Sequence, residues 1–122
     1  YFNNKTSNRD TTQYTFNGQT LGKGRLVLEI MKHHIENNPG LTFSSLESQF
    51  PKNIRGSDGV FSTIIEANKR YTSGGRKRHF INPEDIINLQ DSAIAVSSQW
   101  GSGNIESFIS VAKELGYKIN SH

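Results

Sequence analysis

The chain has 122 residues, which is enough for one domain whose hydrophobic core folds unaided. Only 33% of the residues are hydrophobic and the mean hydropathy is −0.61, so no stretch is apolar enough to span a membrane and no membrane partner is expected. The absence of cysteine excludes disulfides and thiolate metal sites, and it agrees with the cytoplasmic location that we expect.

Positive charge is concentrated in the middle of the chain. The formal net charge of the whole chain is +3. Between Lys52 and Arg78 there are seven Lys and Arg residues and two acids, whereas the rest of the chain has seven Lys and Arg residues and nine acids. A concentration of this kind favours an anionic partner more than the total charge does.

The N-terminal part divides into a tail and the start of a domain. Residues 1–13 are rich in Asn and Thr without periodic apolar spacing, so we expect a disordered tail or a linker to a fused upstream domain. Residues 14–122 are expected to form a single domain. Its first stretch, Tyr14 to Gly22, alternates aromatic residues before an Asn17-Gly18 turn, which predicts a short strand or an extended arm.

Three helices are predicted next. The first spans residues 23–38, where the apolar residues have the spacing of one helix face: Leu26, Val27, Ile30, Met31 and Ile35. The second spans residues 41–51, with Thr42 as its N-cap and Pro51 as its end. The third spans residues 57–71, follows a tight turn and is capped by Ser57 or Asp58. Its predicted inner face is Val60, Phe61, Ile64, Ile65 and Asn68.

The remaining chain predicts strands and a last helix. Residues 78–81, 85–89 and 93–100 are β-branched or aromatic, and the last two of these runs form a hairpin. Asn104 is expected to cap the final helix, and Gly116 is expected to end it. The predicted inner face of that helix is Ile105, Phe108, Ile109, Ala112 and Leu115. The segment after Gly116 forms a last strand or packs on the core.

This order of elements predicts an α+β domain of winged helix-turn-helix type. Two helices joined across a turn are followed by a β-hairpin, so the third helix is the reader and the hairpin is the wing. In that fold the turn before the reader, the end of the reader and the start of the wing lie on one side of the molecule, near the DNA backbone. Lys and Arg at these places neutralise phosphates.

The candidate nucleic-acid-binding residues follow from this arrangement. They are Lys52, Arg55, Ser62, Thr63, Lys69, Arg70, Arg76, Lys77 and Arg78. Ser62 and Thr63 would contact base edges, and the nearby Glu66 would accept from cytosine N4 or repel a phosphate. The alternative for the basic run is a solvated loop near a helix C-terminus, where Lys and Arg are favoured anyway.

Catalysis has little support in the sequence, and we expect no enzyme, metal or cofactor. His33 and His34 are adjacent on a helix, so they point about 100° apart and cannot share a metal ion. A small metal-dependent nuclease is one alternative. It would need a cleft that brings His79 together with the acids Glu84, Asp85 or Asp91.

Trp100 lies between polar residues and glycines. We expect it to be a core anchor that packs on Phe108 or Ile109 and donates its indole N–H to a carbonyl. The alternative is a residue that stacks on a base or a ligand.

Three segments carry a resemblance to a known family: GKGRLVLEIMKHHIENNPGLTFSSLESQFP, GSDGVF and SSQWGSGNIESFISVAKELGYKI. Over residues 14–119 the chain resembles an uncharacterised bacterial winged-helix-like domain that is found in some 5-methylcytosine-specific restriction-type proteins. The resemblance implies a bacterial, cytosolic, regulatory or defence-linked setting and an accessory role in binding nucleic acid. It assigns no catalytic residue.

We therefore expect a non-catalytic DNA-binding module, an accessory domain of a bacterial regulatory or restriction protein. A module for protein interaction or dimerisation is the other alternative to this function. A continuous positive face over residues 52–78 would favour DNA, whereas an apolar patch would favour a protein partner.

Overall fold

A computed structural model describes residues 13–54, 59–75 and 78–121. This part of the chain is a mixed α+β domain with four α-helices and two antiparallel sheets. The elements are β1 (Tyr14–Phe16), β2 (Gln19–Leu21), α1 (Lys23–Glu36), α2 (Phe43–Gln49), β3 (Phe61–Thr63), α3 (Ile64–Gly74), β4 (Ile87–Asn88), β5 (Ala93–Val96), α4 (Ser102–Glu114) and β6 (Asn120–Ser121). None of the helices in the described ranges is long and apolar enough to cross a bilayer.

The first sheet begins with a hairpin. Asn17 and Gly18 both have positive φ, 54° and 79°, as a two-residue turn between twisted strands requires. β1 pairs on one side with β2 and on the other with β6, so the C-terminal segment returns as a strand. The short strand predicted here is confirmed, and its two aromatic residues, Tyr14 and Phe16, are buried in the core with Thr15 between them.

α1 is the central helix of the core. It begins at Lys23 as predicted and ends at Glu36, two residues before the predicted end. All five predicted core residues are buried, and so are Leu28 and His34. A Cβ on Gly24 would lie 3.2 Å from the Phe80 ring, so a side chain there would push against the segment that leads to β4.

The connection between α2 and α3 is not the predicted tight turn. Thr42 caps α2 as expected, because its side chain accepts from the Ser45 N–H. After α2, however, residues 52–54 form a 3₁₀ turn, and residues 61–63 form a strand where the sequence predicted helix. The predicted cap at Ser57 or Asp58 lies outside the described residues.

β3 belongs to a second sheet with the order β3-β5-β4. Phe61 pairs with Val96 and Thr63 with Ile94, while the predicted hairpin of β4 and β5 is confirmed. Val60 and Phe61 are buried as predicted, but through the strand and not through a helix face. The pairing with β5 explains the error, because a ladder between distant segments outweighs the local helix pattern.

α4 closes the core. Four of its five predicted inner residues are buried, whereas Leu115 is 38% exposed because the helix ends at Glu114. Gly116 has a φ of 102° and ends the helix as predicted. Asn104 is in the first turn and not at the N-cap: its side chain accepts from the N–H of Gly101, the residue that precedes the helix.

Candidate nucleic-acid interface

A surface groove of about 420 Å³ lies between α3 and the segment that begins at Arg78. Its lining residues are Glu66, Lys69, Arg70, Ser73, Gly74 and Arg78. The first four are spaced i, i+3, i+4 and i+7, so they form one face of α3. Three of the predicted phosphate-binding residues therefore line the same groove: Lys69, Arg70 and Arg78.

α3 is held in place at both ends by local interactions. At its start the Thr63 hydroxyl accepts from the Glu66 N–H at 3.2 Å. At its end Gly75 has a φ of 69° and its N–H donates to the Tyr71 carbonyl. Along the helix only Ala67 is buried, and β3 joins α3 directly to the second sheet. The helix thus leaves most of its surface to solvent.

The other wall of the groove is fixed by backbone pairing. The Ser98 N–H donates to the Arg78 carbonyl at 3.0 Å, and the Phe80 N–H donates to the Val96 carbonyl at 2.8 Å. His79, between them, is buried and forms a bridge with Ser97. The Arg78 side chain therefore extends from an ordered edge of the second sheet.

The other predicted contacts are placed differently. Lys52 is exposed in the 3₁₀ turn after α2 and does not line the groove. Arg55, Arg76 and Lys77 lie outside the described residues. Of the predicted basic residues, Lys69, Arg70 and Arg78 therefore lie together at one groove.

The placement of Ser62 and Thr63 on the exposed face of a reader helix is wrong. Ser62 is in β3, opposite Ala95, and Thr63 uses its hydroxyl to cap α3. The predicted inner face of that helix fails too, because Ile65 is 77% exposed and Asn68 is also exposed. All of these differences have one cause. α3 begins at Ile64, seven residues after the predicted start at residue 57, so different side chains face outward.

Ser73 and Gly74 were missed as lining residues. Ser73 lies one turn beyond Lys69 and Arg70, so the correct helix boundaries would have placed it on their face. A signal for those boundaries exists in the sequence. Thr63 and Glu66 have the S/T-x-x-E spacing that is typical of a helix N-terminus.

A buried histidine, His34, lies near the C-terminal end of α1. Nδ1 of His34 is 2.6 Å from the Tyr117 hydroxyl, and Nε2 is 2.7 Å from Oε1 of Gln49. Burial raises the pKa of the Tyr117 hydroxyl above its ordinary value of 10.0. Both ring nitrogens of His34 are thus engaged by side chains from α2 and the C-terminal segment, which makes this histidine a structural junction.

The acids of the nuclease alternative are held by other partners. Oδ1 of the buried Asp85 is 3.2 Å from Arg25 and 3.5 Å from Lys32, both on α1. Oδ1 of Asp91 accepts from the Phe43 N–H at the start of α2, an N–H that has no partner within its own helix. Within the described ranges no group of three His, Asp or Glu side chains could hold a metal ion.

Trp100 has the surroundings of a core anchor. Its indole N–H donates to the Ser97 carbonyl at 2.8 Å, and its ring lies 5.5 Å from the ring of Phe108. The side chain is partly buried against the hydrophobic core. These contacts use the polar and the apolar parts of the indole in the way that the sequence suggested.

Comparison with known proteins finds no matching family model, no matching curated protein and no matching solved structure. The class of the domain therefore follows from its own structure alone. It is a small α+β domain in which a sparsely buried helix, α3, and a sheet edge enclose a basic groove.

Proposed function

We propose that this chain is a non-catalytic DNA-binding module that holds the nucleic-acid backbone in the basic groove. The observation that carries the proposal is that Lys69, Arg70 and Arg78 line the same groove. Lys69 and Arg70 are on α3, whereas Arg78 follows the end of that helix. All three side chains are exposed to solvent, where a phosphate can reach them. Arg in particular presents a planar fork of donors that matches phosphate geometry.

We also propose that the domain works as a variant of the winged helix-turn-helix. α3 takes the place of the reader helix, and the second sheet follows it as β4 and β5. The tip of that hairpin contacts the start of α2, where Asp91 accepts from the Phe43 N–H, and the residue before its N-cap, where the Gln90 N–H donates to the Leu41 carbonyl. The part of the wing that faces the partner is therefore the sheet edge at Arg78, and not the hairpin tip.

The salt dependence of duplex binding tests this function. The logarithm of affinity should fall with the logarithm of salt concentration at a slope of roughly −0.9 for each phosphate neutralised. A Lys69→Ala/Arg78→Ala variant should bind more weakly, with a slope shallower by roughly two units. A Lys113→Ala/Lys118→Ala variant removes the same charge from exposed positions outside the groove, and its slope should stay close to that of the unmodified chain.

Two results would count against the proposal. A folded Lys69→Ala/Arg78→Ala variant with an unchanged slope would show that the groove is only a solvated surface. A chain that does not bind duplex or single-stranded DNA at low salt would exclude the function altogether.

One observation favours a second candidate, a dimerisation module. Ile65 on α3 is 77% exposed, which leaves its apolar side chain for a contact with a second copy of the chain. Sedimentation would then show a dimer that Ile65→Ala converts to a monomer. A monomer at all concentrations would exclude this candidate.

A further inference from the structure

A carboxylate lies among the cations of the groove. Glu66 lines it together with Lys69, Arg70 and Arg78, although an acid there repels a phosphate. A surface that bound only the DNA backbone would lose affinity through this charge and would gain from it only in the stability of α3. Glu66 is therefore the feature of the groove that backbone binding leaves unexplained.

The position of Glu66 separates it from the far end of the groove. It is the third residue of α3, whereas Ser73 and Gly74 are the last two. Seven residues of helix place Ser73 roughly 10 Å from Glu66 along the axis. Glu66 is thus at the N-terminal end of the groove, and the cations Lys69 and Arg70 follow it by three and four residues. In helix-turn-helix proteins the N-terminal residues of the reader helix are the ones that contact base edges.

We infer that Glu66 reads a base, accepting a hydrogen bond from the exocyclic amino group of a cytosine in the major groove of the bound duplex. This inference rests on the proposed function and names what the groove selects. A carboxylate only accepts hydrogen bonds, and the amino group is the polar feature that cytosine presents in the major groove.

The same amino group separates cytosine from the other three bases. Guanine presents only the acceptors O6 and N7 in the major groove, and thymine presents an acceptor and a methyl group. The amino group of adenine lies beside the acceptor N7, which repels a carboxylate. Arg70, four residues after Glu66 on the same helix face, keeps its role at the DNA backbone.

Glu66 also has a structural role that the experiment must separate from base recognition. An acid in the first turn of a helix interacts favourably with the helix dipole, and an acid four residues before Arg70 stabilises the helix surface. Both effects change the stability of α3 but not the choice of base. The decisive readout is therefore a preference between duplexes and not an affinity.

The experiment compares the unmodified chain with Glu66→Ala and Glu66→Gln by fluorescence anisotropy at fixed salt. The duplexes have equal length and either contain C·G pairs or consist of A·T pairs only. The unmodified chain should prefer the C·G duplex by about tenfold, as expected for a side chain that contacts a base edge. Replacing guanine by inosine leaves the major-groove groups in place and removes the minor-groove amino group, so the preference should persist.

The variants give the sharper result. Glu66→Ala should abolish the preference and strengthen binding to the A·T duplex, because it removes a negative charge from the groove. Glu66→Gln should move the preference toward A·T, since an amide matches N6 and N7 of adenine. A structural role alone predicts neither change.

The outcomes separate the two proposals. If no duplex binds, the proposed function and this inference both fail. If the duplexes bind with equal affinity, or if Glu66→Ala keeps the preference, only the inference fails and the groove remains a site for the DNA backbone. Loss of the preference in the inosine duplex would likewise overturn the inference, because it would place the contact in the minor groove.

Discussion

Two helices of this domain contact the rest of the protein in opposite ways. α1 buries seven of its 14 residues, while α3 buries one of its 11, Ala67. α1 contacts both sheets and α4, whereas α3 contacts β3 and β5 of the second sheet and is capped at both ends. The difference assigns the stability of the domain to α1, and under the proposed function it leaves the outer surface of α3 to the partner. A helix with so little burial is free to vary its outer surface without unfolding the domain.

The largest effect is expected in α1. Ile30 is completely buried, so Ile30→Ala removes core contacts and leaves a cavity beneath the helix. We expect the free energy of unfolding to fall by about 2–5 kcal/mol, measured by urea denaturation. Ile30→Val, which removes a single methyl group, should cost about 0.5–1.5 kcal/mol. If Ile30→Ala lowered the free energy of unfolding by less than Ile30→Val does, the central place of α1 in the core would be contradicted.

A smaller effect is expected at the ion pairs that join α1 to the segment before β4. Asp85→Asn removes the buried charge that faces Arg25 and Lys32. We expect a loss of about 1–3 kcal/mol, toward the lower end because Arg25 is 49% exposed and its charge returns to water. The control is Glu84→Gln, since the side chain of Glu84 is exposed and only its backbone carbonyl contacts Lys32. Equal effects of the two variants would show that the charge of Asp85 is not what matters.

The junction between α1 and the C-terminal segment gives a prediction with a pH dependence. Tyr117→Phe removes the hydrogen bond to His34 and should cost about 1 kcal/mol near neutral pH. Burial raises the pKa of Tyr117 in the folded protein above the value of 10.0 in the unfolded chain. Its contribution to stability is therefore complete below pH 10.0 and is lost as the pH rises through the folded pKa.

Unfolding curves of the two chains across this pH range test the sign. The stability difference between the unmodified chain and Tyr117→Phe should be constant from pH 7 to about 9 and should shrink as the pH rises further. Phe16 and His33, whose rings contact Tyr117, remain in both chains, so the comparison isolates the hydroxyl. A difference that grows at alkaline pH would contradict the assignment.

Much of the fold could be predicted because its signals are local. The spacing of apolar residues marked α1 from Lys23, the Asn17-Gly18 turn marked the first hairpin, and the N-cap of α2 was recognisable from Thr42 alone. Gly116 marked the end of α4 in the same way. Each of these signals acts over one or two turns of chain, so a single segment contains all the information that it needs.

The errors occur where distant segments decide the structure. Val60 and Phe61 fit a helix face in sequence, yet they precede and begin a strand that pairs with β5 more than 30 residues away. This pairing moved the start of α3 and exposed Ile65. The same limit applies to the site: the sequence predicted that Lys69, Arg70 and Arg78 act together, but not that Ser73 joins them.

The smallest effect is expected on α3, where Ile65→Ala repeats the side-chain truncation of Ile30→Ala at an exposed position. Ile65 is 77% exposed, so the truncation creates no cavity and returns little apolar surface to water. We expect the free energy of unfolding to change by less than about 0.5 kcal/mol, because the higher helix propensity of Ala offsets part of the lost contact. Urea denaturation of both variants under the same conditions gives the comparison directly, since the two substitutions delete the same atoms. A loss above about 1 kcal/mol would show that Ile65 is covered in solution, and if that loss grew with protein concentration, the cover would be a second copy of the chain. If the loss stays small, the Ile65 side chain contributes almost nothing to the core.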